Sequence, residues 1–235
     1  MGRGMTKTMI RTKFGKAELK ATYGPDRKPI VKDGLKIFAQ HLKKRLAEDQ
    51  QNVIVIDGHT GTGKSNGGVD LALELDKKWN IEASYVFNDE DFSEKLDKLN
   101  GPNPILFMDE GSVLLNSKNA LCRTDKEIIE IFDTMRWKHI TTIVCCPNAM
   151  RLNKTFLADH IDYRLICPTV APLPGYDARG FIHFHGHWSA TWSDKQSWPF
   201  IYTSVFPKMP KAYQLRYDQL KRGSGEKIIK RVCKR

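Results

Sequence analysis

The octapeptide Gly58-His59-Thr60-Gly61-Thr62-Gly63-Lys64-Ser65 constrains this chain more than any other feature. Its three glycines let successive backbone N–H groups turn inward around an anion, with no side chain in the way. The octapeptide comes just after Val53-Ile54-Val55-Ile56, a continuous apolar run typical of a strand buried on both faces. A helix is predicted from Lys64 to about Lys78, and its positive end would point at the same anion. Strand, glycine loop and helix in this order form a phosphate cradle. In it Lys64 is expected to reach the β- and γ-phosphates of ATP, and Ser65 to hold Mg²⁺.

A second motif matches the first. The apolar run 104–108 is predicted as a strand, and it ends in Asp109-Glu110. On its own, an acidic pair at a strand end is a loop start. Beside a phosphate cradle, Asp109 suits the surroundings of Mg²⁺, and Glu110 suits general-base activation of a water attacking in line. Together the two motifs predict ATP hydrolysis. A guanine-selective Asn-Lys-x-Asp motif is missing, because Asn153-Lys154 is followed by Thr155-Phe156.

The rest of the pattern alternates. Helices are predicted over 34–48 (Leu35, Phe38, Leu42 and Leu46 on one face), 89–99 and 125–137 (Ile128, Ile129, Phe132 and Met135 on one face). Strands are predicted over 83–87, 141–146 and 163–167. This order implies right-handed crossovers and an α/β fold with a central, mostly parallel sheet flanked by helices. The alternating stretches 181–192 and 200–206 read as a C-terminal strand pair appended to that sheet. Residues 34–207 are thus expected to form one ATPase domain. A loose or partly ordered basic arm (1–33), broken by Gly24-Pro25 and Lys28-Pro29, and a basic tail (208–235) flank it.

Charge separates these parts. Residues 1–45 hold 13 Lys/Arg against 3 Asp/Glu, residues 208–235 hold 10 against 2, and the middle holds 15 against 22. Two basic arms on an acidic core suit contact with nucleic acid, and they also suit plain solvated tails. No apolar run approaches the roughly 20 residues of a membrane span. No secretion signal is read at the N-terminus. The cysteines Cys122, Cys145, Cys146, Cys167 and Cys233 form no closely spaced metal or redox pair, which suits free thiols in a cytoplasmic protein. His183, His185 and His187 share a strand face. Same-face neighbours lie ~7 Å apart, too far for three ligands on one ion without a bulge. Trp188, Trp192 and Trp198 could stack on bases or pack within the fold.

The strand between the two motifs and the glutamate beside Asp109 resemble the RecA-like branch of P-loop NTPases. A narrower resemblance follows from Met135-Arg136-Trp137-Lys138-His139-Ile140-Thr141-Thr142-Ile143-Val144, then Pro147-Asn148, then Ile161-Asp162-Tyr163-Arg164-Leu165-Ile166. Over roughly residues 50–170 the chain resembles the HerA/FtsK superfamily of DNA-pumping ATPases, to which Zot-like assembly ATPases are related. The resemblance implies that Arg136 acts as an arginine completing a neighbouring subunit's site; Arg123, Arg151 and Arg164 are its rivals. It implies that Asn148 stands near the polar sensor position, one residue late after Pro147 and where a Gln is usual. It also implies a homo-oligomeric ring, a hexamer or pentamer, that translocates or packages double-stranded DNA. Viral genome packaging, with a capsid or portal component as partner, suits the short chain. The alternatives are a Zot-like motor for virion or pilus assembly and a nucleotide-switched binding module.

Overall fold

The computed structural model describes residues 9–12, 15–23, 29–31, 33–101, 104–115, 123–134, 138–169, 180–186 and 200–233. Five parallel strands form the centre: β4 (Asn52–Asp57), β5 (Tyr85–Val86), β6 (Ile105–Met108), β7 (Thr141–Cys146) and β8 (Tyr163–Ile166). Their order is β8-β4-β7-β6-β5, so one strand, β7, separates the strand before the glycine loop from the strand before Asp109. β9 (Gly180–Gly186) pairs antiparallel with β8, and β10 (Phe200–Phe206) pairs antiparallel with β9. The strand pair anticipated after Pro168 is therefore appended to the parallel sheet; residues 187–192 lie outside the described residues.

The continuous apolar runs are explained by burial on both faces. Ile54, Ile56, Ile143 and Cys145 face one core with Phe38, Leu42, Val69, Ala72 and Phe107. Val53, Val55, Val144 and Cys146 face the other with Phe92, Phe132 and Phe156. At roughly 1.5–3 kcal/mol for each fully buried large apolar side chain, these two layers dominate the stabilisation. The first layer carries α1 (Gly34–Ala47), α2 (Lys64–Leu75) and the last helix, α8 (Lys211–Cys233). The second carries α4 (Asp89–Lys98), α6 (Arg123–Thr134) and α7 (Lys154–Asp159), together with α5 (Gly111–Leu114). A short α3 (Ile81–Ser84) takes the first half of the expected strand at 83–87. Among the described residues no helix is long and apolar enough to cross a membrane.

Both terminal segments carry more secondary structure than their composition suggests. The arm expected to be loose or partly ordered contains β1 (Met9–Thr12), β2 (Gly15–Tyr23) and β3 (Pro29–Val31), which bring the sheet to ten strands among the described residues. β3 pairs parallel with β10, and its Ile30 and Val31 are fully buried. The chain then turns through Asp33 in the left-handed region (φ 54°) and enters α1. There Gly34 N donates to Ser204 Oγ (3.1 Å), and the Tyr202 hydroxyl donates to the Gly34 carbonyl (2.7 Å). The expected basic tail is, over residues 211–233, the helix α8. Tyr213, Tyr217, Leu220 and Ser224 recur at helical spacing along it, and Tyr217 and Ser224 are buried. Tyr213 stacks on Trp79 (6.0 Å between centroids) and donates to its carbonyl (2.7 Å); Tyr217 packs edge-on against Tyr85 (6.2 Å).

Candidate active site

The glycine loop joins β4 to α2 through backbone that side chains resist. Gly61 and Gly63 are left-handed (φ 84° and 91°), and Gly58 has φ 154°. A Cβ at Gly58 would run into the Cys167 carbonyl, so the close approach of β8 also requires glycine there. His59, Thr60 and Gly61 are exposed at the crest of the loop. Its interior is closed by the His59 carbonyl, which accepts from Thr62 N (3.3 Å), Thr62 Oγ1 (2.9 Å) and Lys64 Nζ (3.0 Å). Lys64 is thus folded back on the loop with its side chain buried, at the start of α2 and beside the N–H groups of its first turn.

Helix α2 carries the next residue to the acidic strand end. It lies so close to the sheet that a Cβ at Gly68 would meet the Phe107 ring of β6 at 2.7 Å and Cys145 Sγ of β7 at 3.2 Å. That approach spans the intervening strand, and Ser65 Oγ donates to Asp109 Oδ1 at 2.9 Å. Asp109 is buried (2% exposed) just past β6. Glu110 follows in the left-handed region (φ 57°), an uncommon conformation for a non-glycine residue, with its side chain 35% exposed.

The remaining bonds at this acidic centre come from α8, which its sequence presents as a basic tail. The Tyr217 hydroxyl donates to Asp109 Oδ2 (2.8 Å) and lies 3.0 Å from Ser65 Oγ. One turn on, Lys221 Nζ lies 3.2 Å from Asp109 Oδ2, 3.6 Å from Glu110 Oε1 and 3.0 Å from the Tyr217 hydroxyl. Burial, and then the Asp109 charge, push the Tyr217 phenol well above its ordinary pKa, so it stays a neutral donor. Burial lowers Lys221, but the Asp109 and Glu110 carboxylates outweigh it and raise its pKa, so it stays a cation. The helical spacing of Tyr213, Tyr217 and Leu220 is the one sequence signal that points to these contacts.

Beside the loop lies a cleft of about 370 Å³, lined among others by Asp57, His59, Asn148, Arg151 and Arg164. Asn148 is exposed, and its side chain caps the 3₁₀ turn Ala149–Arg151 by accepting from Met150 N (2.9 Å). Arg164 is committed to a two-pronged ion pair with Asp57. Arg151 is exposed. Arg136 lies outside the described residues, as do the side chain of Arg123, His187, Trp188, Trp192 and Trp198. Buried His183 bonds Thr203 Oγ1 through Nδ1 (2.7 Å), and among the described residues no group of three or more His, Cys, Asp or Glu side chains is placed to hold a metal ion. Cys145, Cys146 and Cys167 are buried free thiols; burial holds Cys145 well above the ordinary range and pushes Cys146 and Cys167 up to about 12.

No family model and no curated protein matches the chain. Solved structures resemble it in part. The N-terminal domain of zonular occludens toxin from Neisseria meningitidis is 13% identical with a TM-score of 0.42, over 70% of this chain and 98% of that one. The genome packaging NTPase of Sulfolobus turreted icosahedral virus 2, solved with AMPPCP, is 17% identical with a TM-score of 0.36, over 53% and 77%. A DNA polymerase III gamma subunit-related protein from Thermotoga maritima is 10% identical with a TM-score of 0.43, over 57% of this chain. This chain spans 46% of that protein's length. At such scores the likeness is one of outline, and the chemistry has to come from the site itself.

Proposed function

We propose that this chain is a Mg²⁺-dependent ATPase of the RecA-like P-loop type. The observation that carries the reading is the Ser65–Asp109 hydrogen bond (2.9 Å) beneath a glycine loop, with Glu110 beside it. The interposed β7 supports the RecA-like assignment. Ser65 and Asp109 offer adjacent oxygen donors, the chemistry that suits a small hard cation, and these two residues would hold Mg²⁺. When bound, that ion would neutralise charge on the β- and γ-phosphates. Gly58 to Ser65 would wrap the phosphates with backbone N–H groups. Lys64 would exchange the His59 carbonyl for phosphate oxygens. Glu110 would take the proton of the attacking water, and Asn148, beside the loop, would orient that water or the γ-phosphate.

The partner proposed for this ATPase is double-stranded DNA, moved or packaged by a homo-oligomeric ring in which Arg136 completes the adjoining site. Supporting it are the basic terminal segments around an acidic middle. A capsid or portal component is the corresponding docking partner. One observation favours a nucleotide-switched module as second reading: α8 bonds the acidic centre directly, so nucleotide could change a helix position. Glu110 favours turnover, since binding alone needs no base. Measuring ATPase rate with and without linear duplex DNA across a salt series separates the readings. Stimulation that fades with salt supports the motor, whereas an unstimulated rate supports assembly or switching.

A further inference from the structure

The oxygens that would hold a divalent cation are the oxygens that α8 occupies. Asp109 offers Oδ1 to Ser65 and Oδ2 to both Tyr217 and Lys221. The Lys221 ammonium lies between Asp109 and Glu110, at 3.2 and 3.6 Å. A monovalent cation built into the chain thus neutralises the Asp109 carboxylate that a free ion would need, and sits against Glu110 as well. Two cations cannot share so small a space at low cost, because like charges at ~4 Å repel strongly wherever water is partly excluded.

Among the described side chains of α8, Tyr213, Tyr217, Leu220, Lys221 and Ser224 face the body and Arg216 lies 3.8 Å from Glu82, while the Lys221 side chain is still 43% exposed. Between α8 and the helices α3 and α4 a cleft of about 430 Å³ stays open, bordered by Glu82, Asp91, Lys95, Arg216, Leu220 and Ser224. Gly223 and Gly225 follow Lys221 within one turn. Among the described residues nothing packs within 4 Å of where their Cβ atoms would be, so no close approach there calls for glycine. Glycine is the weakest helix former after proline, which leaves the helix easiest to break just past its anchor.

We infer that α8 is an inhibitory cover of the nucleotide site: Lys221 stands in for the divalent cation, and docking of α8 and loading of Mg²⁺-nucleotide exclude each other. The inference rests on the ATPase reading above and adds a regulatory element to it. Tyr217 acts with Lys221 by holding the Ser65 and Asp109 oxygens in the covered arrangement. Loading then requires the helix to lift, and whatever draws α8 away raises the affinity for Mg²⁺-nucleotide.

The test uses the full chain, a non-hydrolysable ATP analogue and a Mg²⁺ titration. Trypsin cleavage after Arg216 and Arg222 reports the position of α8. Saturating Mg²⁺ with analogue should speed these cuts several-fold in the wild type, and analogue without Mg²⁺ should not. Lys221→Gln and Tyr217→Phe should be cut faster without any ligand. Both should need about three- to tenfold less Mg²⁺ for half-maximal analogue binding, the range expected for losing one typical hydrogen bond. Slower cutting on loading, or an unchanged or raised Mg²⁺ requirement in both variants, would overturn the inference, because α8 would then belong to the loaded site. If neither the wild type nor a variant retains analogue at any Mg²⁺ concentration, the ATPase reading fails and the cover falls with it.

Discussion

Arg164 and Asp57 meet in two parallel hydrogen bonds, Nε to Oδ1 at 3.0 Å and Nη2 to Oδ2 at 2.7 Å, one residue before the glycine loop begins. Ala149 N also donates to Oδ2 (3.1 Å), so one carboxylate ties the end of β4 and the body of β8 to the turn after β7. Removing the guanidinium would leave Asp57, with a 5% exposed side chain, charged and unpaired. Arg164→Ala should therefore cost about 3–5 kcal/mol in urea unfolding, and Asp57→Asn in the same chain should recover part of it. A loss below about 1 kcal/mol would show that the pair does not anchor the loop.

Lys64→Ala should lower nucleotide affinity about a hundredfold or more, because it removes charge-assisted bonds to two phosphates. Glu110→Gln should bind ATP as well as the wild type while turnover falls about 10²- to 10⁴-fold. Wild-type turnover in the Gln variant would remove Glu110 from the role of base.

Asp70, on α2, has its carboxyl pushed up from 3.8 to about 6, by burial first and then by Glu74, with Lys77 pulling the other way. A carboxyl raised in the fold contributes stability that is complete below its unfolded value and is lost as pH rises through its folded value, here between about 4 and 6. Asp70→Asn should match the wild type near about pH 4. Near about pH 7.5 it should exceed the wild type by roughly 1–2 kcal/mol, after allowance for the group's partial exposure. Melting curves at the two pH values check this, with a gap of several degrees expected only at the higher one.

Ending the chain after Glu226 removes Lys227, Lys230, Arg231, Lys234 and Arg235 and spares Tyr217 and Lys221. For every DNA phosphate that these cations neutralise, the truncation should take about 0.9 off the slope of log DNA affinity against log salt, with ATP affinity unchanged. A slope equal to that of the full chain would mean that these cations meet only solvent.

Arg136→Ala should leave ATP binding intact and lower turnover by up to about 10³- to 10⁵-fold, as loss of a guanidinium from the γ-phosphate does in other NTPases. Mixed with Lys64→Ala subunits it should regain activity, since some interfaces then hold both residues. A mixture that co-assembles and stays inactive would redirect the role to Arg123 or to Arg151, which lines the cleft beside His59. Arg164, held by Asp57, is the poorest substitute.

The glycine loop, Asp109-Glu110 and the five parallel strands are legible in the sequence because each is a contiguous run with its own punctuation. Thr141–Cys146 is legible to the residue. Ends are less so: the helix expected to reach 78 stops at Leu75, because Asp76 turns extended and its side chain accepts from Lys78 N (2.9 Å). Long-range partners are hidden. Arg164 and Asp57 are 107 residues apart, and Tyr217 and Asp109 are 108 apart, with no local pattern to link them. In α8 the basic charge and the Gly223-Ser224-Gly225 interruption resemble a solvated tail, and the few residues that dock it are outnumbered by exposed ones. β3 is three residues long, too short to stand out before β10 supplies its partner.

The pairing of Ile30 with Thr203 in β3 and β10 has a consequence for how the chain assembles. Residues 52–166 hold every strand of the parallel centre, so that part can close on itself while later residues are still emerging from the ribosome. β1 to β3 are made first yet must wait for the last strand of the sheet, with Gly34 likewise waiting for Ser204. Closing so long a loop is slow, and until then an unpaired strand edge with Ile30 and Val31 is open to other chains. Yield of folded protein should therefore depend more on the completion of β10 than on the glycine loop, which lies within the part that folds early.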